Sequence, residues 1–403
     1  MIAFFQALVT STSAALLVST AALAQVATPA ADLSQAISAL GDFDYIVRME
    51  AARLVRRTGS DTAVPALVAA ANQNEDSYVQ FRAAVLLYGF GGAQADAFFR
   101  AALASQNDRV RAAAYDYAEH SQDPDRVSLL LAALDHETSE FVRPALIRAL
   151  AAHDDNAAVR VRLVREIDRG EGFFRGAVIE ALGDYRATYA VESITQVASQ
   201  EGPLRDDALL ALGKIGDERA LSVLSAALTE VGDASRPVVA AAVCLLGVDC
   251  SNQFRYVINA LAHGAAIRVN DSPIKGADQA LLRGAATGVS ALAMAGSKVG
   301  VESTAALKAL FDVGISAPET ARAPIAIALG RVALRTPERV RSALAMRVDL
   351  EASLLLLRDA FDMLDEDISE ERFYVLMRDR YWDPATSNRE RVLTEVAMQV
   401  LEY

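Results

Sequence analysis

Asn107-Asp108-Arg109-Val110-Arg111, running on into Ala112-Ala113-Ala114-Tyr115-Asp116-Tyr117-Ala118, is the stretch on which the fold turns. A polar or acidic residue, a short gap, an apolar residue and an Arg lead into an Ala-rich segment. The same arrangement occurs at Asp44 to Arg48, Asp76 to Gln80, Ser139 to Arg143, Glu171 to Arg175 and Glu201 to Arg205. The Arg or Gln positions are 48, 80, 111, 143, 175 and 205, separated by 30–32 residues. A fixed period of this size marks a solenoid or array, in which no unit can bury its apolar face without its neighbours. Weaker copies at Val239, Arg283 and Arg322 are more widely spaced, so the later repeats carry insertions.

Each period holds two helical patterns. Leu221, Leu224 and Leu228 recur at helical spacing after Asp217-Glu218-Arg219. In the unit before, Leu204 to Ile215 places Leu204, Ala208, Ala211 and Leu212 on one stripe, and Gly213 and Gly216 suit a helix end. No window alternates with period two. The composition agrees: of 403 residues 53% are hydrophobic but only 6% aromatic. Ala, Leu and Val favour closely packed helices over an aromatic-rich sheet core. The expected fold is an all-α solenoid of stacked antiparallel helix pairs, about ten repeats. Regular repeats are expected over 32–248, irregular ones with insertions over 249–348, and acidic capping helices over 349–403. The segment 262–278, with Asn270-Asp271-Ser272-Pro273, reads as a surface loop between helices.

Ala211-Leu212-Gly213-Lys214-Ile215-Gly216-Asp217-Glu218-Arg219-Ala220, with echoes at Ala181 to Asp184 and Ala328 to Arg331, resembles the HEAT-like repeat of the phycobilisome-lyase type. The resemblance covers roughly residues 32–345 and is strongest over 42–247. It implies a right-handed superhelix whose second helices line the concave side. It specifies a fold well and a function badly. HEAT-like deoxyhypusine hydroxylases carry several His-Glu dipeptides for iron, whereas this chain has only His136-Glu137. Nothing in these residues points to the tetrapyrrole pocket of bilin-lyase members.

Residues 1–24 contain no charged side chain, include an Ala/Leu-rich run and end in Ala22-Leu23-Ala24, an A-x-A cleavage pattern. They read as a signal peptide, followed by a short Pro/Ala linker over 25–31. A periplasmic or secreted location is therefore expected, with no transmembrane segment in the mature chain. Net charge is −13, from 39 basic and 52 acidic side chains, which argues against general nucleic-acid binding. The charge is uneven: 249–348 is basic and 349–403 strongly acidic.

Chemistry-bearing residues are few. The four histidines, His120, His136, His153 and His263, read as solvated helix-end residues, and no metal or cofactor is expected. No phosphate-binding loop, nucleophile elbow or zinc-binding helix motif occurs. Cys244 ends an apolar helix and Cys250 begins the next segment, so a chain reversal there would permit a disulfide in an oxidising compartment. Arg111, Tyr115, Arg143, Arg148, Arg175 and Arg205 lie off the stripe taken as buried (Val110, Ala113, Ala114, Tyr117 in one helix). They form either an Asp/Glu–Arg ladder between repeats or a binding strip on the concave side. The expected function is a non-enzymatic scaffold for a protein or peptide partner. An enzyme or enzyme subunit with an unrecognised site, and a structural cell-envelope component, are the alternatives.

Overall fold

A computed structural model of the chain describes residues 30–266, 276–364 and 367–403. The expected signal peptide, most of the 25–31 linker and the centre of the 262–278 loop lie outside these residues. The described residues form helices and turns with no strand. The helices are α1 (Ala30–Ala39), α2 (Tyr45–Arg57), α3 (Ser60–Gln73), α4 (Ser77–Phe90), α5 (Ala93–Ala102), α6 (Asp108–His120), α7 (Arg126–His136), α8 (Arg143–Ala151), α9 (Ala157–Glu166), α10 (Gly172–Asp184) and α11 (Val191–Ala198). They continue as α12 (Arg205–Ile215), α13 (Leu221–Glu230), α14 (Arg236–Leu245), α15 (Cys250–Ala266), α16 (Gly276–Met294), α17 (Val301–Ser316), α18 (Glu319–Arg335), α19 (Pro337–Leu344), α20 (Leu350–Leu364), α21 (Asp367–Trp382) and α22 (Asn388–Val400). None of the described helices is long and apolar enough to cross a membrane.

The repeated motif starts each second helix. Its first polar residue is the N-cap: Asp44 accepts from the N–H of Ile46, Asp76 from Tyr78 and Asn107 from Arg109. Each cap satisfies an N–H that the helix leaves unpaired. The even-numbered helices from α2 to α20 then stack in an unbroken series, α2 on α4, α4 on α6, and so on to α18 on α20. The apolar interior follows them from Leu33 to Leu401. This is an all-α solenoid.

Glycines set the closest approaches in the stack. A Cβ on Gly213 would lie 2.4 Å from the Cα of Ala242, and one on Gly183 would lie 2.9 Å from the Cα of Ala211. Gly213 is therefore inside α12 at a helix crossing rather than at a helix end. Gly216 is the left-handed C-cap, with φ 76°. Gly284 and Gly288 do the same between α16 and α14, against the carbonyls of Ala234 and Pro237. Cys244 and Cys250 are joined, with Cα atoms 4.0 Å apart, and tie α14 to α15.

Two phase assignments need correction. Tyr115 is 1% exposed and belongs to the core, whereas Tyr117 is only half-buried. In α22, where Val392, Val396 and Val400 recur at a spacing that predicts an inward stripe, Leu393 and Ala397 are buried instead and Val392 is exposed. The acidic C-terminus also does more than cap. Helix α21 turns inward from α18 and packs on α4 and α6 of the N-terminal repeats. Ile368 joins the N-terminal core. The Arg56 guanidinium donates to the buried Glu371 carboxylate (Nε to Oε2 3.2 Å) and lies over the rings of Tyr374 and Tyr403. Arg82 pairs with Asp367, Arg372 meets His120, and Arg378 donates to the Gly89 carbonyl at 2.7 Å. Gly89 is needed there, because a Cβ would strike Glu371. The superhelix thus closes on itself through α21.

Candidate functional site

The expected Arg row is consumed by the fold. Arg111, at the start of α6, donates to Glu137 (Nε to Oε2 2.7 Å) and to Asp108 (2.8 Å). Burial acts to raise the Glu137 carboxyl, but Arg111 and the N–H of Ser139 hold it below its ordinary range. Tyr115 directs its hydroxyl at the Leu103 carbonyl and Glu137, both at 3.4 Å. Arg143 is 4% exposed, donates to Glu166 at 2.7 Å and sits 3.7 Å from the Phe174 ring centroid. Arg205 pairs with Glu201 and, at 3.2 Å, with Glu230. In three layers, then, an Arg at the start of the second helix reaches an acid at the end of the following first helix. Arg175 turns back instead, to the Ile167 carbonyl (2.8 Å) and Asp168 (3.3 Å). This is the ladder. The binding-strip expectation fails at Tyr115 and Arg143, which are inside the protein, and the other four guanidiniums are engaged.

Arg148 belongs to a different network at the opposite ends of the inner helices. It lies between Glu119 (3.3 Å) and Asp184 (2.9 Å), and Lys214 reaches the same Asp184 at 2.7 Å. Tyr185 donates to Glu119. Charges of alternating sign thus cross α6, α8, α10 and α12. Burial opposes the Asp184 charge, but Lys214 and Arg148 hold its carboxyl well below the usual range. Such a network fixes the register of the layers, since any slip would leave a charge unpaired. Neither His120 nor His153 is built into a metal site: His153 accepts from Arg126 at 2.9 Å and His120 faces Arg372. Among the described residues no group of three or more His, Cys, Asp or Glu could hold a metal.

What remains open is the inner groove beside α21. Val375 of α21 borders one cavity of about 780 Å³, with Tyr88, Phe99, Tyr117 and Arg100 on its walls. There Phe99 stacks on Tyr117 with centroids 4.1 Å apart, and Arg100 is held by Asp123 and Asp125. Asp367 and Ile368, at the start of α21, border a second cavity of about 270 Å³ with Phe141, Ala145, Ala177 and Glu180. From here the groove over α8 and α10 is uncovered. Phe141 is 61% exposed and Phe173 78% exposed. Ala145 and Ala177 form a half-buried floor. Glu180 is exposed, and Asp207 of α12 lies beside Gly176. Burial, then Glu180 and Asp206, push the Asp207 carboxyl up to about 6, with Lys214 and Arg331 opposing.

Phe141 and Phe173 were legible in the sequence. They stand two residues before the repeat Arg, in the same register as Ile46, Tyr78 and Arg109. A large apolar side chain recurring just outside the buried position marks a surface row.

Residues 33–119 and 69–151 match the family model described as HEAT repeats. HEAT repeats are thus found over residues 33–151. No curated protein matches it in sequence. Among solved structures, YibA of Escherichia coli is 18% identical, with TM-score 0.40, over 54% of this chain and 82% of that one. Kap95p, in a structure with RanGDP, is 14% identical, with TM-score 0.42, over 93% of this chain. An importin β structure is also 14% identical, with TM-score 0.39, over 92% of this chain. The chain spans 61% of the length of each of the latter two.

Proposed function

We propose that this protein is a non-enzymatic, exported scaffold that binds a protein partner in the inner groove over α8, α10 and α12. One observation carries the reading: exposed Phe141 borders the cavity where α21 begins, and Phe173, at the same repeat position one layer on, is exposed as well. Large apolar groups aligned on a rigid preformed surface bind with little ordering cost. The remainder of that side already holds a protein segment, α21. Export is supported by the Ala22-Leu23-Ala24 pattern, and N-terminal sequencing of the mature protein should begin at Gln25.

A photo-crosslinking side chain placed at Phe173, and separately at the exposed Val161 of α9, tests the site. The expected result is a specific protein adduct from position 173 alone. Equal labelling from both positions, or labelling only from 161, rejects the groove as the binding surface.

A further inference from the structure

We infer that the inner face of α2, α4 and α6 is a second docking surface, which α21 occupies until a partner helix displaces it. That partner helix carries two carboxylates and a large apolar residue at four-residue steps. The surface is separate from the uncovered groove over α8 and α10.

The chain's own helix shows what the surface takes. Asp367, Glu371, Val375 and Arg378 follow one another at steps of four, four and three, so they share one stripe of α21. Each meets a group suited to it. Asp367 pairs with Arg82, and Glu371 pairs with Arg56. Val375 borders the larger cavity, whose walls include Tyr88, Phe99 and Tyr117. Arg378 donates to the Gly89 carbonyl at 2.7 Å, in the last turn of α4, where a helix presents its negative end. Charge points the same way. Helices α2 and α4 carry Arg48, Arg53, Arg56, Arg57 and Arg82 against Glu50 alone. Paired carboxylates on one helix stripe are what such a face selects.

The fit of α21 is incomplete, which makes it replaceable. Among the described residues, Ile368 is the one apolar side chain of α21 in the N-terminal core, whereas Phe373 and Met377 belong to the C-terminal core. Ion pairs supply much of the remaining contact, and salt weakens those that solvent reaches. Beside Val375 a cavity of about 780 Å³ remains. A larger apolar residue at this place on a partner helix extends into it, against the aromatic wall. The partner then repeats the contacts of α21 and adds one. It needs that addition, because a tethered helix competes at about millimolar effective concentration.

Fluorescence anisotropy on the full chain tests this, with a labelled peptide of residues 367–382 bearing V375F. The same peptide with D367N and E371Q added is the control. The first peptide should bind the E371A chain about tenfold or more tighter than the parent, since α21 no longer holds Arg56 there. Adding R56M to E371A should remove the gain, and the control peptide should show none. V375F in the chain itself should strengthen closure and reduce binding below the parent's. Thermal melts and circular dichroism establish that each variant is folded. If E371A lacks a cooperative melt, D367N, which releases only the pair with Arg82, takes its place and should also bind more tightly than the parent. Absence of binding, equal binding to the parent and the folded opened chain, or equal binding of the control peptide overturns the inference. Crosslinking from position 173 reports on the other groove, so either surface can fail without the other.

Discussion

At Arg143 the physics of burial outweighs the habit of reading a charge as surface. Its guanidinium is enclosed by Glu166, Glu140 and the face of Phe174. Removing Glu166 leaves that cation buried without its main partner, which typically costs about 3–5 kcal/mol. E166A should therefore lower the urea midpoint sharply. R175A, which loses only an exposed pair and a carbonyl contact, should cost less than about 1 kcal/mol. Equal losses from the two variants would show that burial does not distinguish them. Gly213 makes the same point for the backbone. G213A drives a methyl into the Ala242 main chain and should cost about 1–3 kcal/mol. G172A, in α10 with open space around it, should be neutral or gain about 0.4–1 kcal/mol. A urea-unfolding series on the pair settles it, and similar midpoints would mean that the α12–α14 contact yields freely.

At the scale of the helix, α21 is the element whose stability depends on pH. Glu370 is pushed up to about 7, by burial first and then by Asp367 and Glu371, with Arg56 and Arg82 opposing. A carboxyl raised in the folded state favours the protonated form there. Between about pH 4.5 and 7 the folded chain holds more of this proton than the unfolded one, so this contribution falls as pH rises. E370Q should thus stabilise the α21 contact at pH 8, and differ little from the parent at pH 5. Amide exchange in α4 and α21 at the two pH values measures it, and a benefit as large at pH 5 would refute the assignment. Most helices were legible because caps and Ala runs recur with the repeat. Phase was harder, as at Tyr115 and Tyr117, because a second helix packs against the layers on either side and against its own partner. Several of its faces are then apolar or small, and a single stripe cannot be singled out. The ladder acids were hidden for another reason: Glu137 and Glu166 lie on the next unit, 26 and 23 residues beyond their Arg.

For the whole molecule, closure through α21 had no signal in the sequence. The repeat period describes contacts between neighbours, whereas Arg56 and Glu371 are 315 residues apart. An acidic C-terminus reads equally well as a solvated cap until the basic groups at Arg56 and Arg82 are seen to face it. Closure also determines where a partner can bind, since α21 covers the inner side at α4 and α6 and leaves it bare at α8 and α10. The ends are held by a few concentrated contacts, of which Arg56–Glu371 is the most buried. E371A strands the Arg56 cation between Tyr374 and Tyr403, so α21 should leave α4 while the stacked layers remain folded, because solenoid stability is local. Small-angle scattering should then show a larger radius of gyration at unchanged helical content by circular dichroism. R56M/E371L replaces the pair with apolar groups of similar size and should keep the compact form, since such exchanges of a buried pair are often neutral or stabilising. An unchanged radius in E371A would mean that closure is held elsewhere.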